Sequence, residues 1–177
     1  MKHKTRRLAA AGVVGAVYAV VTLVLAPISF GPVQFRVSEA LCALAFFDGI
    51  YAFGLFAGCF LANLVSSAGV LDVVFGSLAT LAACLAMTAL GRRGSSVGRC
   101  LLACLMPVVF NGVIVGAVLA GAYAAGRAFG PYFLLCAGEV AAGEAGVMLL
   151  LGYPLLRLLP KKESLRPYLF DKQKNGE

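Results

Sequence analysis

The chain has 177 residues, of which 61% are hydrophobic and 13% charged, and a formal net charge of +7. A soluble domain carries roughly a quarter charged residues, so this composition excludes water as the solvent for most of the surface. The cations sit at the chain ends and in alternate loops, the positive-inside pattern of a membrane protein, and this excludes a nucleic-acid-binding face.

A basic run, Lys2, Lys4, Arg6 and Arg7, precedes an apolar stretch predicted to span from about Leu8 to Leu25. The stretch is too long for a signal peptide, and Ala26-Pro27 offers no small-residue cleavage site, so it is expected to stay as a first helix. Ala9, Ala11, Gly12, Gly15, Ala16 and Ala19 place small residues four apart, a spacing that lets helices approach closely. Packing within the bundle and docking of a partner both fit that stripe. Residues 26–36 (APISFGPVQFR) carry two prolines and a glycine and are expected to be irregular. Such backbone is tolerated at membrane depth only when buried in protein or lining a wet cavity.

A short second span is predicted from about Val37 to Phe47, ended by Asp48-Gly49, and a third from about Ile50 to Val65, ended by the Ser66–Gly69 turn. The fourth covers about Leu71 to Leu90 and leads into a hydrophilic loop, 91–99, holding Arg92, Arg93 and Arg99. The fifth runs from about Leu101 to Ala124, and a loop with Gly126, Arg127 and Gly130 separates it from the sixth, about Tyr132 to Leu159. That last stretch exceeds what a bilayer needs, so it tilts, kinks near Pro154 or begins outside the hydrocarbon. The sequence thus predicts an all-α membrane protein with one domain of six transmembrane helices, residues 1–160, and a basic tail, 161–177, with Lys161, Lys162, Arg166, Lys172 and Lys174. Both termini and the 91–99 loop are expected on the cytoplasmic side of the cell membrane, because the opposite loops hold only Arg36 and Arg127 as cations.

A charged side chain in hydrocarbon costs a few kcal/mol or more, so each one is a functional candidate. The candidates are Arg36, Glu39, Asp72, Glu139 and Glu144, with Gln34, Asn63 and Asn111 in support. On the six-span topology most face the outer side, and Arg36, Glu39, Asn63, Asp72, Asn111 and Glu139 are predicted to line one outward-facing ligand pocket. Arg36 and Glu39, three apart, fit either an ion pair that anchors a helix start or a ligand-binding pair. Glu139 and Glu144, five apart, point away from each other and do not read as a catalytic dyad.

The six cysteines lie in apolar stretches and read as small buried residues, and His3 is the only histidine, so neither a disulfide framework nor a metal site is expected. No nucleophile elbow or P-loop occurs, so neither an enzyme nor a cofactor is expected. Without nucleotide-binding machinery, transport is driven either by partner subunits that hydrolyse ATP or by an ion gradient, as in a stand-alone secondary transporter or small channel. No internal repeat is visible, which speaks against an inverted-repeat secondary transporter.

The stretches QFRVSEALCAL (34–44), GLFAGCFLANLVSSAGVLDVVFGSLATLAA (54–83) and PVVFNGVIVG (107–116) resemble the QueT family, whose members are predicted queuosine-precursor S-components of energy-coupling factor (ECF) transporters. The resemblance implies a six-helix fold that binds a small molecule outside and associates with a transmembrane coupling subunit and two ATPase subunits. It implies a 7-deazaguanine ligand, queuine or an aminomethylated precursor. It also implies docking through an Ala-x-x-x-Ala motif on the first helix, here Ala11/Gly15 or Gly12/Ala16. A deazaguanine offers N–H donors to carboxylates and a carbonyl to an Asn amide or Arg, and an aminomethyl cation favours a second carboxylate. Phe35 or Phe75 would supply a stacking face.

Overall fold

The computed structural model describes residues 2–31 and 33–161. The side chains of Lys2 and Lys4 and the expected tail cations Lys162, Arg166, Lys172 and Lys174 lie outside what is described. The described residues are helical, with no strand among them. Six principal helices follow in order: α1 (Lys2–Val24), α2 (Val37–Phe46), α3 (Ile50–Asn63), α4 (Asp72–Gly91), α5 (Val97–Tyr123) and α6 (Phe129–Lys161).

Four of these, Thr5–Val24 within α1 and the whole of α4, α5 and α6, are long and apolar enough to cross a membrane. The predicted count of six is met by four, because Asp48-Gly49 and the turn after Asn63 cut the hydrophobic runs around α2 and α3. Those two have 10 and 14 residues. α2 is a 3₁₀ helix, so at about 2.0 Å per residue it reaches about 20 Å, and α3 at about 1.5 Å per residue reaches about 21 Å. Both fall short of a hydrocarbon core of about 30 Å.

The outer surface is apolar: Val13, Val20 and Val24 on α1, Phe53 on α3, and Leu134 and Leu150 on α6 are all well exposed. A continuous exposed apolar surface of this kind suits lipid rather than water. Small residues and polar groups turn inward. On α1 the buried stripe is Ala11, Gly15, Tyr18 and Thr22, at helical spacing.

That stripe packs directly on α3. A Cβ on Gly15 would overlap the Gly54 carbonyl, one on Gly54 would overlap the Ala11 carbonyl, and one on Gly58 would overlap the Gly15 carbonyl. The two backbones touch, as small-residue interfaces permit. Ala11 and Gly15 are therefore packed against α3 within the bundle. Gly12 and Ala16 are exposed, and a Cβ on Gly12 would meet nothing within 4 Å.

α5 starts at Ser96, whose hydroxyl accepts from the Arg99 backbone N–H at 3.4 Å, an N-cap. It packs on α6 where Gly112 and Gly116 face Ala141 and Ala137. In α6 a widened π-type turn, Met148–Gly152, comes just before Pro154. Proline has no N–H to donate and clashes with the preceding turn, and a wider turn absorbs both.

The two ends of the bundle differ. At the basic end Arg7 Nε donates to Asp48 Oδ2 at 2.7 Å, tying α1 to the α2–α3 turn. A cleft of about 1060 Å³ opens there, lined by Arg7, Phe47, Asp48, Arg92, Ser95 and Pro160 among others. At the opposite end, Ala26–Ser29 makes one helical turn, and residues 30–31 and 33–36 form an irregular strap; Ser29, Gln34 and Arg36 are buried. Gln34 has φ of 44°, in the left-handed region rare for residues with a Cβ. Gly143 of α6 lets the strap lie against it, since a Cβ there would overlap the Val33 carbonyl.

Candidate functional site

A chain this apolar has no reason to bury charge unless each charge finds partners, and the interior holds a cluster of buried polar side chains in three parts. α2 brings the first part. In a 3₁₀ helix residues three apart eclipse, so Glu39 stacks on Cys42, whose thiol donates to Glu39 Oε2 at 3.0 Å. Glu39 Oε1 accepts from the Tyr18 hydroxyl of α1 and, at 3.0 Å, from the Thr80 hydroxyl of α4. Both carboxylate oxygens are satisfied and Glu39 is fully buried. Next to it, Thr22 and Ser38 share a hydrogen bond of 2.6 Å.

The second part joins the strap to the α3–α4 junction. Arg36 Nη2 donates to Asp72 Oδ2 at 3.3 Å, and the Ser66 hydroxyl donates to the same oxygen at 2.6 Å. The Arg36 guanidinium also lies 5.3 Å from the centre of the Phe30 ring, a cation–π contact. Asn63, at the end of α3, donates from Nδ2 to the Asp72 carbonyl at 3.0 Å. A π-type turn, Asp72–Gly76, opens α4, and Gly76 leaves room for the carboxylate, since a Cβ there would overlap Asp72 Oδ1.

The third part spans α5 and α6: Asn111 Nδ2 donates to Glu144 Oε1 at 2.8 Å, with both side chains about 1% exposed. Five buried polar atoms across the cluster have no hydrogen-bond partner: Ser29 Oγ, Asn63 Oδ1, Asp72 Oδ1, Asn111 Oδ1 and Glu144 Oε2. Leaving such an atom unpaired costs about 1–3 kcal/mol. Four of the five are carbonyl or carboxylate oxygens, so the unmet capacity is for accepting hydrogen bonds.

Of the residues predicted from sequence, Arg36, Glu39, Asn63, Asp72 and Asn111 are all buried in this cluster. Arg36 and Glu39 do not pair with each other; Asp72 takes the guanidinium and three hydroxyl or thiol donors take Glu39. Glu139 lies apart, half-buried, with no hydrogen bond to the cluster, and Glu144 holds the interior position on α6. The reason is helical phase: the buried stripe of α6 is Cys136, Val140, Gly143, Glu144 and Val147, which skips 139. Phe75 is exposed and Phe35 packs against Gly146, while Phe30 is the ring beside Arg36. Tyr18, Ser66 and Thr80 are further cluster members, which join it through hydroxyls and carry neither a charge nor an amide. The large cleft at the basic end, with Arg7, Asp48, Thr88, Arg92 and Ser95 in its lining, is lined by none of the cluster residues.

Over 82 residues the chain is 42% identical to the queuosine precursor transporter QueT of Lactococcus lactis subsp. cremoris (strain MG1363), a stretch that covers 45% of this chain and 48% of that relative. The matched region thus spans about half the length of the relative. No solved structure matches the chain. The model of a family described as QueT transporter matches residues 8–161, nearly all of the apolar region, and the chain belongs to that family of transporters.

Proposed function

We propose that this chain is the substrate-binding S-component of an ECF-type importer, capturing a 7-deazaguanine such as queuine or an aminomethyl-deazaguanine for ATP-driven uptake by partner subunits. The observation that carries the reading is the set of four unpaired acceptor oxygens on Asn63, Asp72, Asn111 and Glu144, buried together with one guanidinium, Arg36. A deazaguanine presents a row of N–H donors and a carbonyl, which matches acceptors beside a single strong donor. The name of the Lactococcus relative, a queuosine precursor transporter, supports the same ligand class.

In this reading all six helices cross or enter the membrane, with the basic end and both termini cytoplasmic and the cluster toward the outer side. The strap, residues 30–31 and 33–36, lies over the cluster on that side. Arg36, Asn63, Asp72, Asn111 and Glu144 contact the ligand, Glu39 holds α1, α2 and α4 around the site, and Glu139 stands at the rim. Gly12 and Ala16 form the surface for the coupling subunit. The test is purification of the tagged chain from its native host: a coupling subunit and two ATPases should accompany it, and uptake in proteoliposomes should require them. Uptake by this chain alone would replace the reading with a stand-alone transporter.

A further inference from the structure

Glu144 differs from the other two carboxylates of the cluster in what surrounds it. Glu39 accepts from three donors, and Asp72 is paired with Arg36 and Ser66. Glu144 receives one hydrogen bond, from the neutral amide of Asn111, and its second oxygen has none. The Asn111 carbonyl beside it is also unpaired, and both residues are about 1% exposed. Three carboxylates, Glu39, Asp72 and Glu144, share the cluster with one cation, Arg36, and Asp72 takes its direct contact.

We propose that Glu144 and Asn111 form a subsite that reads a positively charged amine on the ligand, and so select amine-bearing 7-deazaguanines over neutral ones. The inference rests on the functional reading above and deepens it. An ionised carboxylate buried with one neutral donor is unfavourable, and an ammonium group supplies both the missing charge and several N–H donors. Two buried acceptors, Glu144 Oε2 and Asn111 Oδ1, lack hydrogen-bond partners and could receive them. The acceptors on Asn63 and Asp72 border a carboxylate already compensated by Arg36, which suits them to the uncharged N–H groups of the ring edge.

The experiment titrates the purified full-length chain with 7-aminomethyl-7-deazaguanine and with 7-cyano-7-deazaguanine, which share the ring and differ in charge. The parent should prefer the amine. Glu144→Gln should weaken the amine ligand by about 30-fold or more, as loss of one partner of a buried charged contact does, and weaken the cyano ligand far less, so that the preference for the amine collapses. Glu144→Asp, which keeps the charge, should retain the preference in part. Equal loss of both ligands in Glu144→Gln, or an unchanged preference, overturns the subsite. A parent that binds the cyano compound as tightly as the amine overturns it without any variant. A parent that binds neither compound removes the functional reading itself and the subsite with it.

Discussion

Arg36 and Asp72 are joined by an ion pair of 3.3 Å in the interior, where the arginine side chain is 1% exposed and the aspartate 0%. The pair closes the segment containing α2 and α3 into a loop, clamping the strap to the start of α4. Removing one partner of a buried pair strands the other charge and typically costs about 3–5 kcal/mol, whereas replacing both by apolar residues is often neutral. Asp72→Asn should therefore lower the unfolding free energy in detergent by that amount, and Arg36→Met combined with Asp72→Leu should recover much of it. A single variant as stable as the parent would show that the pair does not hold the strap.

Tyr18 tests the role assigned to Glu39. Its hydroxyl is one of three donors that satisfy this carboxylate, and a hydrogen bond to a charged group contributes about 1.5–3 kcal/mol. Tyr18→Phe should lose stability in that range and leave ligand affinity nearly unchanged in the folded fraction. An affinity loss without a stability loss would make Glu39 a ligand contact.

Gly12 and Gly15 separate docking from folding. A side chain at Gly12 projects into open space, whereas one at Gly15 collides with the Gly54 carbonyl. Gly12→Leu should leave melting and ligand binding intact and reduce recovery of the coupling subunit and ATPases in pull-downs. Gly15→Ala should destabilise the bundle by about 1–3 kcal/mol, as overpacking does. Full assembly of Gly12→Leu would move the docking surface elsewhere.

The membrane orientation is tested at Ser95, exposed in the α4–α5 loop next to Arg92 and Arg93. A cysteine placed there, in a chain whose six native cysteines are replaced, should react with a membrane-impermeant thiol reagent only after the cells are opened. Labelling from outside intact cells would invert the topology.

Much of this architecture is legible in composition and punctuation. Asp48-Gly49 ends α2 within one residue of its predicted end, and the irregular backbone expected for 26–36 follows from Pro27, Gly31 and Pro32. The 3₁₀ form of α2 is not legible, because Val-Ser-Glu-Ala-Leu-Cys-Ala-Leu-Ala-Phe has no residue that forbids an α-helix; tertiary contacts decide, such as Gly91 packed on the Phe46 carbonyl. The site residues near Asn63 and Asp72 were accessible because amides and carboxylates stand out in apolar sequence. Glu144 was as visible as Glu139, and the signal that separates them is the phase of the Cys136–Val140–Gly143–Val147 stripe. Thr80 gave no signal, since a threonine hydroxyl in a membrane helix is ordinarily satisfied by its own backbone, and Tyr18 gave none, since its ring reads as an apolar core residue.

Binding of a 7-deazaguanine to the purified chain tests the central claim most directly. Calorimetric titration of 7-aminomethyl-7-deazaguanine onto the monodisperse parent and onto Asn63→Leu, which deletes one unpaired acceptor and the amide beside it, supplies the measurement. The account predicts saturable one-to-one binding by the parent and a loss of about 30-fold or more in the variant, the effect of about 2 kcal/mol or more. No heat of binding from a folded parent, or equal affinity in the two proteins, would contradict it.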